Sequence, residues 1–280
     1  MHQWRLVRSR ACLGPLAVVL LATVSGCDAP PRPSGAVWPG HRYEHAVSRP
    51  ASMSAGPTLG SHALVAQEQD FGSSPARTPP IDTLASGSWF LLFHGGYAAN
   101  AAAPSDNFGN AWDALGAPVA YQGYDGTYDV KAWLARSGRG GAGQVVSLPK
   151  VGVPAGELTM PFLELRHVTR LADMAQTYAR AAPLVESGEV VTDGPALLIA
   201  LWWGDGYVLD NHADPEDGFE PVESVLALPP NSAVQCVVAW RRVDRAGRWR
   251  VGWKQRPKQG AVLWLLAFAG DAQAGAGAPR

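Results

Sequence analysis

Residues 261–269 read AVLWLLAFA, nine apolar side chains in succession. A half-buried strand alternates apolar with polar residues, and an amphipathic helix leaves polar positions on one face. This run does neither. As a strand it needs cover on both faces, so any fold for the chain has to place material on two sides of it. Its neighbours are strand-like too. From 188 onward, "PALLIALWW", "GYVLDN", "PVESVLAL", "AVQCVVAWRRV" and "RWRVGWK" are separated by Gly, Asp, Pro and Asn turns. "WWGDGY" and "VDRAGRW" read as hairpins. With 280 residues, 47% of them apolar, the chain can bury a core, and 11 Trp suit β-rich packing or a binding surface.

The stretch before 188 reads differently. "MPFLELRHVTRLADMAQTYARAAP" sets Leu165, Val168, Leu171, Ala175 and Tyr178 at helical spacing, with Pro161 in the first turn and Pro183 as a limit. This is expected to be the main amphipathic helix. "TYDVKAWLARSG" is expected to be a short helix, with Val130, Trp133 and Leu134 on one face, and "DNFGNAWDALG" a short helix or turn. "SWFLLFHGG" reads as a buried strand. The expectation is therefore one α+β domain over 81–270, with a largely antiparallel sheet that dominates from 188, and a frayed tail over 271–280. Residues 28–80 are rich in Pro, Ser, Gly, Ala and Arg and are expected to be a disordered tether, carrying His41, His45 and His62.

The N-terminus carries an address. Arg5, Arg8 and Arg10 precede the apolar run "ACLGPLAVVLLATV", which is shorter than the about 20 residues that span a bilayer as a helix. Val24-Ser25-Gly26-Cys27 follows and resembles the lipobox of bacterial lipoproteins. The resemblance implies removal of 1–26 as a signal peptide and acylation of Cys27, with diacylglycerol on its sulfur and a further chain, palmitate for example, on its amino group. Stable anchoring takes more than one acyl chain, which a triacylated cysteine supplies. The implied location is a bacterial cell membrane, with the domain facing the periplasm or the outside. By resemblance to enterobacterial sorting, Asp28 favours the inner membrane. The net charge is −1 for the whole chain, which argues against nucleic acid as a partner. Cys236 is the only thiol left after Cys12 departs with the signal and Cys27 is acylated, and "AVQCVVAW" reads as a buried strand.

Candidate chemistry centres on a few segments. "FHGGY" contains His94 and resembles the oxyanion loop of lipase-like esterases, but the nucleophile motif G-x-S-x-G is absent from the chain. "FHGG" is also similar to a segment of β-galactosidase-like glycosidases, which rest on a barrel of about 250 residues. "PALLIALWWGDGYVLDN" resembles a short segment of bacterial transglutaminase-like cysteine peptidases. That resemblance puts the family's Asp on Asp210, but Pro195 occupies the position of its His and 161–182 contains no Cys. It implies a papain-like scaffold without that chemistry. Asp210, Asp214, Glu216 and Asp217 are candidate ligands for a divalent cation, which favours clustered carboxylates.

Charge is segregated. Nine acids and no Lys or Arg lie between 189 and 223, whereas eight bases and one acid lie between 241 and 258. Arg248, Arg250 and Lys254 share the polar face of a period-two pattern, a candidate surface for an anionic envelope polymer or a protein partner, or one that docks on the chain's own acidic loop. The function expected from these features is a lipid-anchored, non-catalytic binding module. The alternative is a peptidase-like or glycosidase-like envelope hydrolase, using Asp210 with His94, His167 or His212.

Overall fold

The computed structural model describes residues 56–68, 70, 72–96, 102–122, 128–151, 155–205, 211–226 and 234–270. Sixteen strands, β1 to β16, account for the regular structure there, and no helix occurs among the described residues. The α+β expectation with a main helix is thereby corrected to all-β. The first sheet is fully antiparallel in the order β1 (Thr58–Gln67), β8 (Leu158–Arg166), β3 (Ser86–Gly96), β6 (Asp129–Arg139), β5 (Asp113–Ala120). The second is built on β16 (Gly252–Ala269). β9 (Arg170–Glu186) flanks one side of β16; β11 (Ala196–Asp205) and β12 (His212–Pro215) share the other, followed by β14 (Val234–Val243) and β13 (Glu220–Val225). β11 and β12 both pair with β16, so "WWGDGY" does not join two hairpin partners.

The two sheets pack face to face as a sandwich. Leu91, Phe93, Leu134 and Leu163 of the first meet Leu201, Trp203, Trp264 and Leu266 of the second. Phe93 and Trp264 stack edge to face with centroids 5.9 Å apart, and Trp89 meets Phe268 at 6.5 Å. Trp203 Nε1 donates to Thr159 Oγ1 across the interface at 2.9 Å. Along one side of the sandwich the edges are joined by His62 Nδ1 and Glu223 Oε1, 2.7 Å apart. Along the other, Gln176 Nε2 donates to Ala117 O at 2.6 Å.

Both outer faces are covered as well. A small sheet of β2 (Ala76–Arg77), β7 (Val146–Leu148) and β4 (Ser105–Asp106) caps the first, burying Phe90, Leu92, Met160 and Phe162. The second is covered by itself. Pairing between β9 and β16 runs from Arg170 and Ala269 to Ala182 and Gln259, then jumps to Leu184 and Lys254. Pro183 and Pro257, which cannot donate to a ladder, sit in the jump. Beyond it both strands double back. Val191 N donates to Asp173 Oδ2 at 2.8 Å, bringing together residues that a continuous extended strand would hold some 60 Å apart. Gly188 is required by this return, since a Cβ there would stand 2.7 Å from the Ala175 Cβ. The fold-back layer continues into the ribbon of β10 (Val190–Thr192) and β15 (Gly247–Trp249). "VDRAGRW" is therefore no hairpin: β15 pairs with β10. The layer's Val185, Val190, Ala213, Phe219 and Trp253 pack on Leu198, Ala200, Trp202, Leu263 and Leu265. Residues 261–269 are thus covered on both faces and at most 4% exposed.

The expected main helix is two strands in different sheets. β8 belongs to the first and β9 to the second, and they are separated at His167, whose φ is +58°. Both faces of β8 are buried, so no period of two shows in its sequence. Pro161 lies inside β8, where the pairs that would join Phe93 to Pro161 and His94 to Met160 are missing from the ladder with β3. "TYDVKAWLARSG" contributes to β6: Val130 and Leu134 enter the inter-sheet core and Trp133 points to the opposite face. "DNFGNAWDALG" is a turn leading into β5, fixed by Trp112 Nε1 donating to Asp106 Oδ2 at 2.9 Å. The domain also starts earlier than 81. β1 lies within the stretch expected to be tether and pairs with β8 over Thr58 to Gln67. Cys27, Asp210 and the tail over 271–280 lie outside the described residues.

Candidate functional site

The fold-back creates a concavity. β12 pairs with the start of β16, setting His212 opposite Arg256 and Asp214 opposite Lys254. The period of two sends these four side chains outward, while Ala213, Trp253 and Gln255 face the layer beneath and are at most 5% exposed. With Pro183 and Gln255 they line a cleft of about 270 Å³. Gln255 fixes the floor. Its Oε1 accepts from Trp202 Nε1 at 2.8 Å, and its Nε2 donates to Ala182 O at 2.6 Å and to Gln259 O at 2.5 Å. One amide thus ties together both strands at the kink and the sheet below it.

The charges in and beside the cleft are ordered. Lys254 Nζ meets Glu216 Oε1 at 2.5 Å. That hydrogen bond, then the charge of Glu216 and that of Asp214, hold the Lys254 ammonium above its ordinary pKa. Glu216 N donates to Gly252 O at 2.8 Å, and Asp217 Oδ2 accepts from Gly252 N at 3.1 Å. Asp217 O also accepts from the Arg241 guanidinium. Asp214, Glu216 and Asp217 therefore lie around one turn of the fold-back layer, engaged with Lys254 and with β16 backbone. Among the described residues no three His, Cys, Asp or Glu side chains come together as a metal shell. The Arg248 guanidinium pairs with Glu189 at 2.5 Å, and Arg250 lies 3.6 Å from the same carboxylate. Strand pairing of β10 with β15 and of β12 with β16 thus explains the segregated charge: the acidic and basic stretches lie side by side.

The three candidate histidines lie far apart in the fold. His212 is in the cleft. His167 is exposed in the turn between β8 and β9. His94 is fully buried under the small sheet's side of the sandwich. Trp133 Nε1 donates to His94 Nε2 at 2.8 Å, so Nδ1 carries the ring proton, and Nδ1 has no partner. Burial, with a smaller effect of the nearby Lys131 charge, pushes the His94 pKa down to about 3. His94 is a neutral core residue stacked on Trp133. Cys236 is likewise fully buried; burial, then the charge of Glu223, pushes its thiol well above the ordinary pKa, while a hydrogen bond with Thr159 opposes this. A thiol so placed is not a nucleophile.

Sequence reasoning found His212, Asp214, Glu216 and Lys254 but missed Arg256, Gln255 and Pro183. Arg256 was within reach, because it continues the period-two row of Lys254. Gln255 and Pro183 gain their roles only from the kink. No family model, no curated protein and no solved structure matches the chain.

Proposed function

We propose that this chain is a lipid-anchored protein of the bacterial cell envelope whose layered β domain is a non-catalytic binding module, with its site in the cleft of the fold-back layer. The observation that carries this reading is the convergence of His212, Asp214, Lys254 and Arg256 around a floor that the hydrogen bonds of Gln255 hold in place. The depression is open to solvent and lined mainly by charged and polar side chains, which suits a surface-binding role. The lipobox Val24-Ser25-Gly26-Cys27 supports membrane attachment, and Asp28 supports the inner membrane. The chain enters the described domain at Gly56, at the pole where Pro57 meets Gly270, whereas the cleft lies beside the Pro183 kink at the far end of β9.

The hydrolase alternative turns on Asp210, which lies outside the described residues; Cys236 and His94 are sequestered in the core. The basic row also gives less support to an anionic polymer as ligand, because Arg248, Arg250 and Lys254 each lie beside a carboxylate. Fractionation tests the anchoring. The full chain should stay with membranes after high-salt washing and move into the detergent phase on phase separation. A full chain that high-salt washing releases would refute lipid attachment.

A further inference from the structure

Five strands end the two main sheets, and four of them carry devices that blunt an edge. β5 slips register between Leu115 and Val119, at Pro118, and β13 slips between Pro221 and Glu223. β12 has four residues and ends in Pro215. β1 is bulged between Leu59 and His62, and His62 ties it to Glu223 of β13. β9 differs. From Asp173 to Ala179 it pairs with β16 without interruption, and among the described strands it pairs with no other. No proline, glycine or charge lies between 174 and 179.

The burial of β9 shows that this edge is open. A strand with one exposed face alternates between buried and exposed, but Leu171 to Ala179 are half-buried at every position. Both faces are covered, Met174 and Tyr178 by the inter-sheet core and Ala175 and Ala179 by the fold-back layer, so the exposure comes through the edge. Met174 N donates to Asp173 Oδ1 at 2.8 Å and therefore points away from β16. The alternation of an antiparallel ladder turns the N–H and C=O of Gln176 and Tyr178 the same way.

The edge also complements itself. The Asp173 carboxylate lies at one end and the exposed Arg180 just past the other. Antiparallel pairing of two identical strands of this kind brings opposite charges together at both ends. We propose that β9 pairs with β9 of a second copy about a two-fold axis at Thr177, joining two sandwiches through one continuous sheet. Each Gln176 then exchanges backbone hydrogen bonds with Tyr178 of the second copy, and Thr177 faces its own equivalent, a favourable cross-strand pair. Each Arg180 falls opposite Met174 of the second copy, beside Asp173, whose carboxylate has lone pairs to spare. The inference goes beyond the cleft and stands without it.

Sedimentation equilibrium of the full chain in density-matched detergent tests it. A dimer is expected. Arg180→Asp should weaken it by at least about tenfold, because two attractions become repulsions. Thr177→Cys should form a covalent dimer on mild oxidation, since facing Cα atoms at such a pair lie about 4.5 Å apart. Ala66→Cys, exposed on β1 along the opposite side, should not. A monomer overturns the proposal. Slow amide exchange at Gln176 and Tyr178 in that monomer would assign the edge to another segment of the chain, such as 28–55. A dimer indifferent to Arg180→Asp and not cross-linked through position 177 would place the interface elsewhere and overturn it equally.

Discussion

Lowering the pH from 7 to 5 should destabilise this domain through His94. Burial holds the imidazole neutral in the fold, with a pKa of about 3, whereas a solvated histidine takes up a proton near its ordinary value of 6.5. Between those values the unfolded chain binds the extra proton and the native chain does not. Stability is therefore level above pH 6.5, falls as pH drops through the window, and levels again below about 3. The slope is about 1.4 kcal/mol per pH unit, so the loss by pH 5 is about 2 kcal/mol and the full loss about 5 kcal/mol. Urea unfolding at pH 7 and pH 5 measures it, with His94→Gln as reference. The glutamine carbonyl oxygen can still accept from Trp133 Nε1, and carboxylates common to both proteins cancel in the comparison. The raised pKa of Asp129, set first by its burial and opposed by Lys131, acts in the opposite direction and cancels in the same way. The native protein should lose about 2 kcal/mol more than the variant over this interval. Equal losses would mean that His94 protonates as readily in the fold as in water, and its burial would be refuted.

Glu164→Gln should cost about 3–5 kcal/mol in the same assay, because it neutralises a fully buried carboxylate that accepts from Ser61 N, Leu84 N, Ser88 Oγ and the Arg166 guanidinium. Burial raises the Glu164 pKa, but these hydrogen bonds outweigh it and hold the group below its ordinary value. The stabilisation is thus present above the carboxylate range and lost as pH falls through the native pKa. His62→Ala should cost about 1–3 kcal/mol by leaving the buried Glu223 carboxylate without its partner across the sheet edges, and Glu223→Gln in the same background should recover part of that. Cys236 should react with a thiol reagent only at the rate of global unfolding; rapid reaction in native buffer would contradict its place between the sheets.

Part of this fold is written locally. The run over 261–269 demanded two covers and has them, and the alternation in "RWRVGWK" holds in part, with Val251 and Trp253 buried, Trp249 half-buried, and Arg248, Arg250 and Lys254 outside. The helix expected over 161–182 failed first at a strand buried on both faces. β8 shows an apolar residue on nearly every side, so Leu165, Val168 and Leu171 mimic a helical stripe across a chain reversal at His167. In β9, the helix-favouring Ala175, Ala179 and Ala182 pack against the fold-back layer's apolar cluster, and at Ala175 the layer comes close enough that Gly188 stands opposite it. That layer is a tertiary event, created where Pro183 and Pro257 interrupt one ladder, and a local reading sees only two prolines. The cleft follows the same rule. Its charged residues were legible as charges, but their meeting depends on a kink that brings 183, 212 and 256 together.

The mass of the mature N-terminal peptide, taken from protein purified out of membranes, tests the central claim most directly. The account predicts a chain that begins at Cys27 and carries diacylglycerol on its sulfur and an acyl chain on its amino group. A chain that retains residues 1–26, or one cut elsewhere with an unmodified Cys27, would contradict it.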